Sequence, residues 1–409
     1  MSEIDQKPSE RWERRTVGEV VTFQRGFDIT KAEQSDGPFP VISSSGPTST
    51  HNVYKVPAPG VIIGRKGSLG GVYFSGTDFW PHDTTLWIKD FHGNDPKFVF
   101  YWLQTLGLGH YDVGAANPTL NRNHLHLLPT KIPSLPTQLK IAAVLTDYDD
   151  LIENNTHRIK LLEEMAQRVY REWFVDFRYP GDEGVPLVDS ELGLIPEGWK
   201  TGTMGEVLEA LESGSRPKGG IDPFERGVPS VGAENVLGLG RYDFGREKFV
   251  STSFFEQLRK GRVVSGDVVL YKDGAYIGRV SLFRDGFPHD ECAVNEHVFI
   301  LRTNGRLSQS MMYFWLADSG NRDRVRSLNA NSAQPGINQE KLRSLTLVMP
   351  PPGLVQHFTE RVEPMLAMLF NLARSSLVLK NARDFLLPRL VSGAVDISDL
   401  SIALPEVAA

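Results

Sequence analysis

One cysteine, Cys292, serves all 409 residues. A lone thiol closes no internal disulfide and cannot assemble a zinc ribbon or finger, which need several Cys or His ligands at set spacings. His-Glu-x-x-His is missing too. The nearest histidine pair, His124 and His126, fits a surface or groove feature better than a metal site. The dipeptide Gly-Lys never occurs, so there is no P-loop and no nucleotide-driven motor of that type. No G-x-G-x-x-G follows a strand and opens a helix, and no G-x-S-x-G elbow appears. Asn117-Pro118-Thr119-Leu120 lacks the second proline and the aromatic of an amino-methyltransferase loop. No apolar run approaches the roughly 18 residues that span a bilayer. The first fifteen residues are polar and lack the apolar core of a secretion signal, so a cytoplasmic location is expected. Excess positive charge is also lacking, because 44 Lys+Arg against 50 Asp+Glu give −6. Residues 1–136 hold 13 of each sign and residues 191–352 hold 20 of each. The acid excess therefore lies outside the two large pieces, which remain free to carry local basic faces.

What the chain has is a unit written twice, the signal to seek before any other. Trp12 precedes Gly18-Glu19-Val20 as Trp199 precedes Gly205-Glu206-Val207, at an offset of 187. Gly60-Val61-Ile62-Ile63-Gly64-Arg65-Lys66-Gly67 has its counterpart in Gly266-Asp267-Val268-Val269-Leu270-Tyr271-Lys272-Asp273-Gly274. Each reads as an apolar strand, a basic glycine turn and a further strand. Asn117-Pro118-Thr119-Leu120-Asn121 matches Gln334-Pro335-Gly336-Ile337-Asn338, and Ile132-Pro133 matches Met349-Pro350, both at offset 217. Short β-type runs broken by Gly, Pro, Asn and Ser, with modest helical pieces near 96–106 and 308–317, indicate a mixed α+β domain in each half.

Each half ends on prolines and changes period. Leu145, Tyr148, Ile152, Asn155, Ile159, Leu162, Ala166, Val169 and Trp173 alternate steps of three and four, an a/d seam almost four heptads long. Adding 217 gives Val362, Met365, Leu369, Leu372, Ser376, Leu379, Arg383, Leu386 and Leu390. A helix of about 40 residues is about 60 Å long, too long to hide its stripe under one small domain, so each helix is expected to pair with the other, the alternative being that each packs on its own domain. Asn155, Ser376 and Arg383 would weaken the seam while fixing its register. Pro364 is expected to kink or delay the second helix.

The expected organisation is a first domain over 1–136, a spacer helix over 137–178, a linker over 179–198, a second domain over 199–352, a second spacer helix over 353–392 and a tail over 393–409. The fold class is α+β: two tandem domains, separated by two long helices. Head-to-tail copies related by a pseudo-twofold would run those helices as an antiparallel coiled coil, with a domain at each end of the rod.

Glu191-Leu192-Gly193-Leu194-Ile195-Pro196-Glu197-Gly198-Trp199 resembles the linker-and-entry motif of type I restriction–modification specificity subunits. So does the order of Gly64–Gly70, Asn117–Asn121, the proline stop, Gln138 and a long helix ending Arg171-Glu172-Trp173-Phe174, repeated with Gln334–Asn338, Pro350-Pro351-Pro352, Gln356 and the final helix. The resemblance covers nearly the whole chain. It implies that each α/β domain is a target-recognition domain reading one part of a split, asymmetric double-stranded DNA site, and that the helices set the distance between the parts. It also implies two adenine-N6 methyltransferase subunits using S-adenosylmethionine as partners, and restriction subunits with helicase and nuclease domains using ATP and Mg. The chain itself would be non-catalytic and would hold no cofactor and no metal.

Basic side chains on glycine-bearing turns are the first candidates for DNA contact, since glycine admits a phosphate to the backbone and Arg or Lys supplies charge. Arg65, Lys66 and Lys272 sit on such turns, and Arg25, Lys31, Asn121 and Arg122 are further candidates in the first half. In the second they are Arg216, Lys218, Arg241 and the cluster Arg322, Arg324 and Arg326. The basic glycine turns have a plainer reading as hairpin closures, and the cluster at 322–326 as a solvated helix face. Phe174 and Phe177 are candidates for a methyltransferase-docking surface or for ordinary core. The rival function is a coiled-coil adaptor bridging two partners without sequence-specific DNA binding. A nuclease or methyltransferase with a divergent site is the weaker third.

Overall fold

The computed structural model describes residues 12–111, 119–220, 226–329 and 336–404. Of the landmarks above, Asn117, Pro118, Gln334 and Pro335 lie outside the described residues. The chain divides into two compact units, Met1–Ile152 with Leu379–Ala409, and Glu153–Val378.

The first unit begins β1 (Trp12–Thr16), α1 (Val17–Val20), β2 (Thr22–Arg25), β3 (Phe39–Ser43), β4 (Gly46–His51), β5 (Gly60–Gly64), β6 (Val72–Ser75), β7 (Trp80–Pro81) and β8 (Thr85–Asp90). It continues through α2 (Pro96–Thr105), α3 (Arg122–His126), β9 (Pro129–Pro133) and the first part of α4 (Leu135–Phe174). Its sheets run β2-β8-β5-β6, β4-β3-β7 and β1-β9. The apolar run of β5 has no polar alternation because both its faces are covered. Val61 and Ile63 turn toward Phe98 and Trp102 of α2 and its surroundings, while Ile62 turns toward Ile42, Val56 and Phe79 under the smaller sheet.

The second unit takes in the rest of α4 and then a hairpin, β10 (Leu187–Ser190) and β11 (Gly193–Pro196). There follow β12 (Lys200–Thr203), α5 (Met204–Val207), β13 (Leu208–Ser213), β14 (Val228–Val231), β15 (Phe249–Val250), α6 (Thr252–Gln257), β16 (Asp267–Tyr271) and β17 (Val280–Phe283). Then come β18 (Ala293–Val294), β19 (Val298–Thr303), α7 (Gln309–Ala317), α8 (Ser319–Ser327), α9 (Gln339–Arg343), β20 (Thr346–Met349) and α10 (Pro352–Ser392). The sheets are β13-β19-β16-β17, β15-β14-β18 and β12-β20, the same three arrangements in the same order. Direction repeats as well: β3 pairs antiparallel with β4 and parallel with β7, as β14 does with β15 and β18. β16 divides its side chains as β5 does, Val268 and Leu270 to the large core and Val269 to the small one.

The shared landmarks are structural. Glu19 accepts from the backbone and hydroxyl of Thr16, and Glu206 from those of Thr203, so each Gly-Glu-Val closes a capping box. Asn121 caps α3 by accepting from the Asn123 amide at 3.0 Å, and Asn338 caps α9 by accepting from Lys341 at 2.8 Å. The two tryptophans plug helix ends. The Trp12 indole donates to the Val391 carbonyl at 3.0 Å, and Trp199 lies among Phe174, Phe177 and Tyr179. Phe174 is thus core, and Phe177 packs, partly buried, against it.

The long helices meet within each unit. In the second, Phe174 and Tyr170 touch Phe358, and Ile159 shares with Leu369 and Ala373 the wall around Gly240. One index falls as the other rises, so these stretches of α4 and α10 run antiparallel. In the first unit Ile141 and Leu145 share a core with Leu390 and Val391. Of the polar seam residues, Asn155 is buried and Arg383 pairs with Asp149. Gln138, buried, bonds to Asn94, Asp95 and Pro133, whereas its repeat Gln356 is exposed and pairs with Glu360.

Two expectations need correcting. Pro364 does not delay the second helix, which runs unbroken from Pro352. The proline is exposed, where water can satisfy the carbonyl it leaves without a donor. Prolines also stand in the first turns of both long helices, where their missing N–H costs nothing. And α10 is, by length and composition, apolar enough to cross a membrane, with an 18-residue window of mean hydropathy 1.3. Charged residues break the continuous run that a sequence scan looks for. Val362, Leu366, Leu369 and Phe370 from this helix are buried in the protein core.

Phe358 of α10 is fully buried and touches four aromatic rings, Tyr170, Trp173 and Phe174 of α4 and Phe314 of α7. Phe358→Ala should lower stability by about 3–5 kcal/mol, read as an earlier urea midpoint for the second unit by hydrogen exchange.

Candidate nucleic-acid interface

In each unit three segments converge at one end of the strands of the large sheet. Beyond β2 and β13 the chain crosses the turn that joins β7 to β8 or β18 to β19, and it crosses on a glycine. A Cβ on Gly26 would stand 2.1 Å from the His82 carbonyl oxygen, and one on Gly214 would stand 1.8 Å from that of Val294. Only glycine permits that approach. The turn after β5 is pinned to the same place: the Arg65 and Lys66 amides donate to Thr84, and Arg65 accepts from the Leu120 amide at 3.0 Å. The second unit repeats the frame. Lys272 donates to His297 at 3.0 Å and accepts from Ile337 at 2.9 Å.

Upon this frame sits a charged cluster. Arg25 pairs with Asp83 at 2.9 Å, and Arg65 donates to the Asp83 carbonyl at 3.4 Å. His82 lies 3.0 Å from the same carboxylate. In the second unit Arg216 pairs with Glu296 at 2.7 Å, with His297 3.2 Å from that carboxylate and 2.7 Å from Asp273. Lys272 lies 3.5 Å from Asp273 and over the Phe299 ring. Burial, then the charge of Arg25, lowers the pKa of Arg65. Arg25 and Arg216 are 51% and 50% exposed, their carboxylates 17% and 33%. Each guanidinium is therefore held at one end and open to solvent at the other.

The remaining candidates are scattered. Lys66, Lys31, Arg122 and Lys218 are exposed. Asn121 is engaged as a helix cap. Arg241 is tied to Glu163 on α4. The three arginines of α8 part company: Arg322 packs along Gly278, Arg326 donates to the Ile277 carbonyl at 3.1 Å, and Arg324 turns to Thr346 and the Trp315 ring. Burial lowers the Arg324 pKa. Arg241 and Arg322 line an open groove of about 970 Å³ beside α4, with Lys160, Gln167 and Arg279. Sequence reasoning missed Asp83, Glu296, His82 and His297, and the paired glycines that bring them in. The one available signal was Gly26 and Gly214, each directly after the β-run that follows Gly-Glu-Val.

Tyrosines tie the sheet-bearing parts to the helices. Tyr101, buried, donates to Asp149 of α4 at 2.6 Å, and Arg383 of α10 pairs with the same carboxylate. Tyr313, buried, donates to Glu163 of α4 at 3.0 Å, and Arg241 completes that set. Burial and the neighbouring carboxylate push both phenols up. Burial likewise pushes the Cys292 thiol up to about 12, which makes it no nucleophile at neutral pH. Among the described residues no group of three or more His, Cys, Asp or Glu is arranged to hold a metal.

His126 belongs to the fold. It stacks on Phe23 and accepts that residue's amide at 3.1 Å, which requires the neutral ring. Burial, then Arg122 and His92, hold its pKa below the ordinary value. Below about pH 6.5 the unfolded chain takes up a proton that the folded one refuses, so stability falls with pH from there down to the lowered value. The urea midpoint of the first unit should drop between pH 7 and 5.5, and His126→Gln should flatten that drop. An unchanged slope would contradict it.

Comparisons agree with the duplication. The family model described as "Type I restriction modification DNA specificity domain" matches residues 9–164 and again 196–357. The chain is similar to the type I restriction enzyme MjaIX specificity subunit of Methanocaldococcus jannaschii, at 25% identity over 74% of this chain and 70% of that one. It is similar to the MjaVIII specificity subunit of the same organism at 21% identity over 96% and 95%. The crystal structure of a type I restriction–modification system S subunit from M. genitalium shares the fold, with a TM-score of 0.61 at 14% identity, covering 95% of this chain and 98% of that one.

Proposed function

The chain belongs to the family of the type I restriction modification DNA specificity domain, and from that premise we propose that it reads a split, asymmetric double-stranded DNA site with one target-recognition domain per segment. The observation that carries this reading is the repeated charged cluster on a repeated backbone frame, Arg25, Arg65 and Asp83 in one unit and Arg216, Lys272 and Glu296 in the other. A shared frame with different side chains is what two readers of different sequence require. Lys31, Lys66, Arg122 and Lys218, all exposed, supply phosphate contacts, which fix position without specifying sequence.

In this reading the subunit is non-catalytic. It positions two adenine-N6 methyltransferase subunits, and restriction subunits with helicase and nuclease domains join them, in the cytoplasm. S-adenosylmethionine, ATP and Mg belong to those partners. The paired helices act as a spacer, because readers of one duplex must keep a spacing near one helical turn, about 34 Å.

The test is selection from random duplexes by the full chain with its methyltransferase partner. Two short defined segments separated by an undefined gap are expected, with binding that weakens steeply as salt rises. Inserting four residues near Asn155 should widen the gap or abolish binding. One contiguous motif, or an unchanged gap at full affinity, would contradict the reading.

A further inference from the structure

We propose that Arg25 and Arg216 each read a guanine, one in each segment of the site, and that Asp83 and Glu296 are the positioning residues that hold them for it. This rests on the DNA-reading function above. The two arginines do not align. Arg25 directly precedes its crossing glycine, Gly26, whereas Arg216 lies two residues beyond Gly214. Yet each reaches the carboxylate of the same turn, at 2.9 and 2.7 Å. Two different routes to one geometry indicate that the clasp itself, and not a shared ancestral residue, is what both units keep.

The clasp favours a base over a phosphate. A carboxylate beside the guanidinium repels a phosphate oxygen, and the pair together carries no net charge to attract one. The guanine edge presents two neutral acceptors, O6 and N7, at the spacing of a guanidinium fork. With one Nη bound to the carboxylate, the fork is fixed in direction while its exposed half keeps free N–H donors. Asp83 and Glu296 are the more buried partners, and Asp83 stands on the turn gripped by the Arg65 and Lys66 amides. A rigid anchor holding a half-exposed donor is the arrangement that preorganises a reader.

The experiment sequences duplexes selected by the full chain, in wild type and in Asp83→Asn, Glu296→Gln, Arg25→Lys and Arg216→Lys. Wild type should show a strong guanine at one position in each segment. Asp83→Asn and Arg25→Lys should cut that preference about 5- to 150-fold, the range of one bidentate base contact, in one segment only. Glu296→Gln and Arg216→Lys should do the same in the other. Affinity for non-specific duplex should hold or rise, since no positive charge is removed. Arg→Lys keeps charge and bulk, so it serves where a carboxamide variant melts early. Preferences unchanged in all four variants, or relaxed in both segments by one substitution, would overturn the proposal while leaving the split-site reading intact. A wild type without sequence preference would overturn both.

Discussion

A buried phenol that must find an acceptor is the constraint on which each unit turns. Tyr101 and Tyr313 lie inside helices that cover the large sheets, with nothing apolar to do with their hydroxyls. Each donates to a carboxylate on α4, and each carboxylate is answered by an arginine. Leaving such a hydroxyl buried without its partner costs about 1–3 kcal/mol. In each unit the sheet-bearing part therefore has one rotational setting on its stretch of helix. Apolar packing alone, as between Phe358 and the aromatic side chains around it, tolerates small slides that a directional hydrogen bond does not. A reader whose arginine must meet a base edge within a fraction of an ångström needs the second kind of restraint.

The same economy governs charge. With a net charge of −6 the chain does not rely on a cationic coat. Several arginines that look in sequence like one nucleic-acid surface are tied to different parts of the second unit, Arg241 to Glu163, Arg326 to a backbone carbonyl and Arg324 to Thr346 and Trp315, with Arg241 and Arg326 still half-exposed. A run of Arg-x-Arg-x-Arg on a helix points in more than one direction, so its density in sequence does not become density in space. The clasped Arg25 and Arg216 stay half-exposed and carry a directional fork with little field.

Much of the fold was legible in the sequence because its landmarks are local. A capping box needs residues three apart, as in Thr16 and Glu19. A helix cap needs the same, as in Asn338 and Lys341. A strand buried on both faces needs a short apolar run, as in 61–63. The heptad steps marked the seam residues that turn inward, from Leu145 to Trp173 and from Val362 to Leu390. The candidate site was legible only in part. Arg25 meets Asp83 across 58 residues and Arg216 meets Glu296 across 80, and no periodicity encodes such pairs. Insertions make the offset between halves drift from 187 to 217, so equivalent places fall out of step. The tyrosine–carboxylate ties were invisible for the same reason. Apolar count, in turn, could not show that α10 spends its hydrophobic residues on core packing.

The most direct measurement is a double-mutant cycle on Tyr313 and Glu163, using Tyr313→Phe, Glu163→Gln and the pair, with stability of the second unit read by denaturant unfolding. If the phenol–carboxylate bond fixes that unit to its helix, the two substitutions should couple by about 1–3 kcal/mol. Effects that add to within about 0.5 kcal/mol would mean that the residues act independently and that apolar packing alone sets the seat.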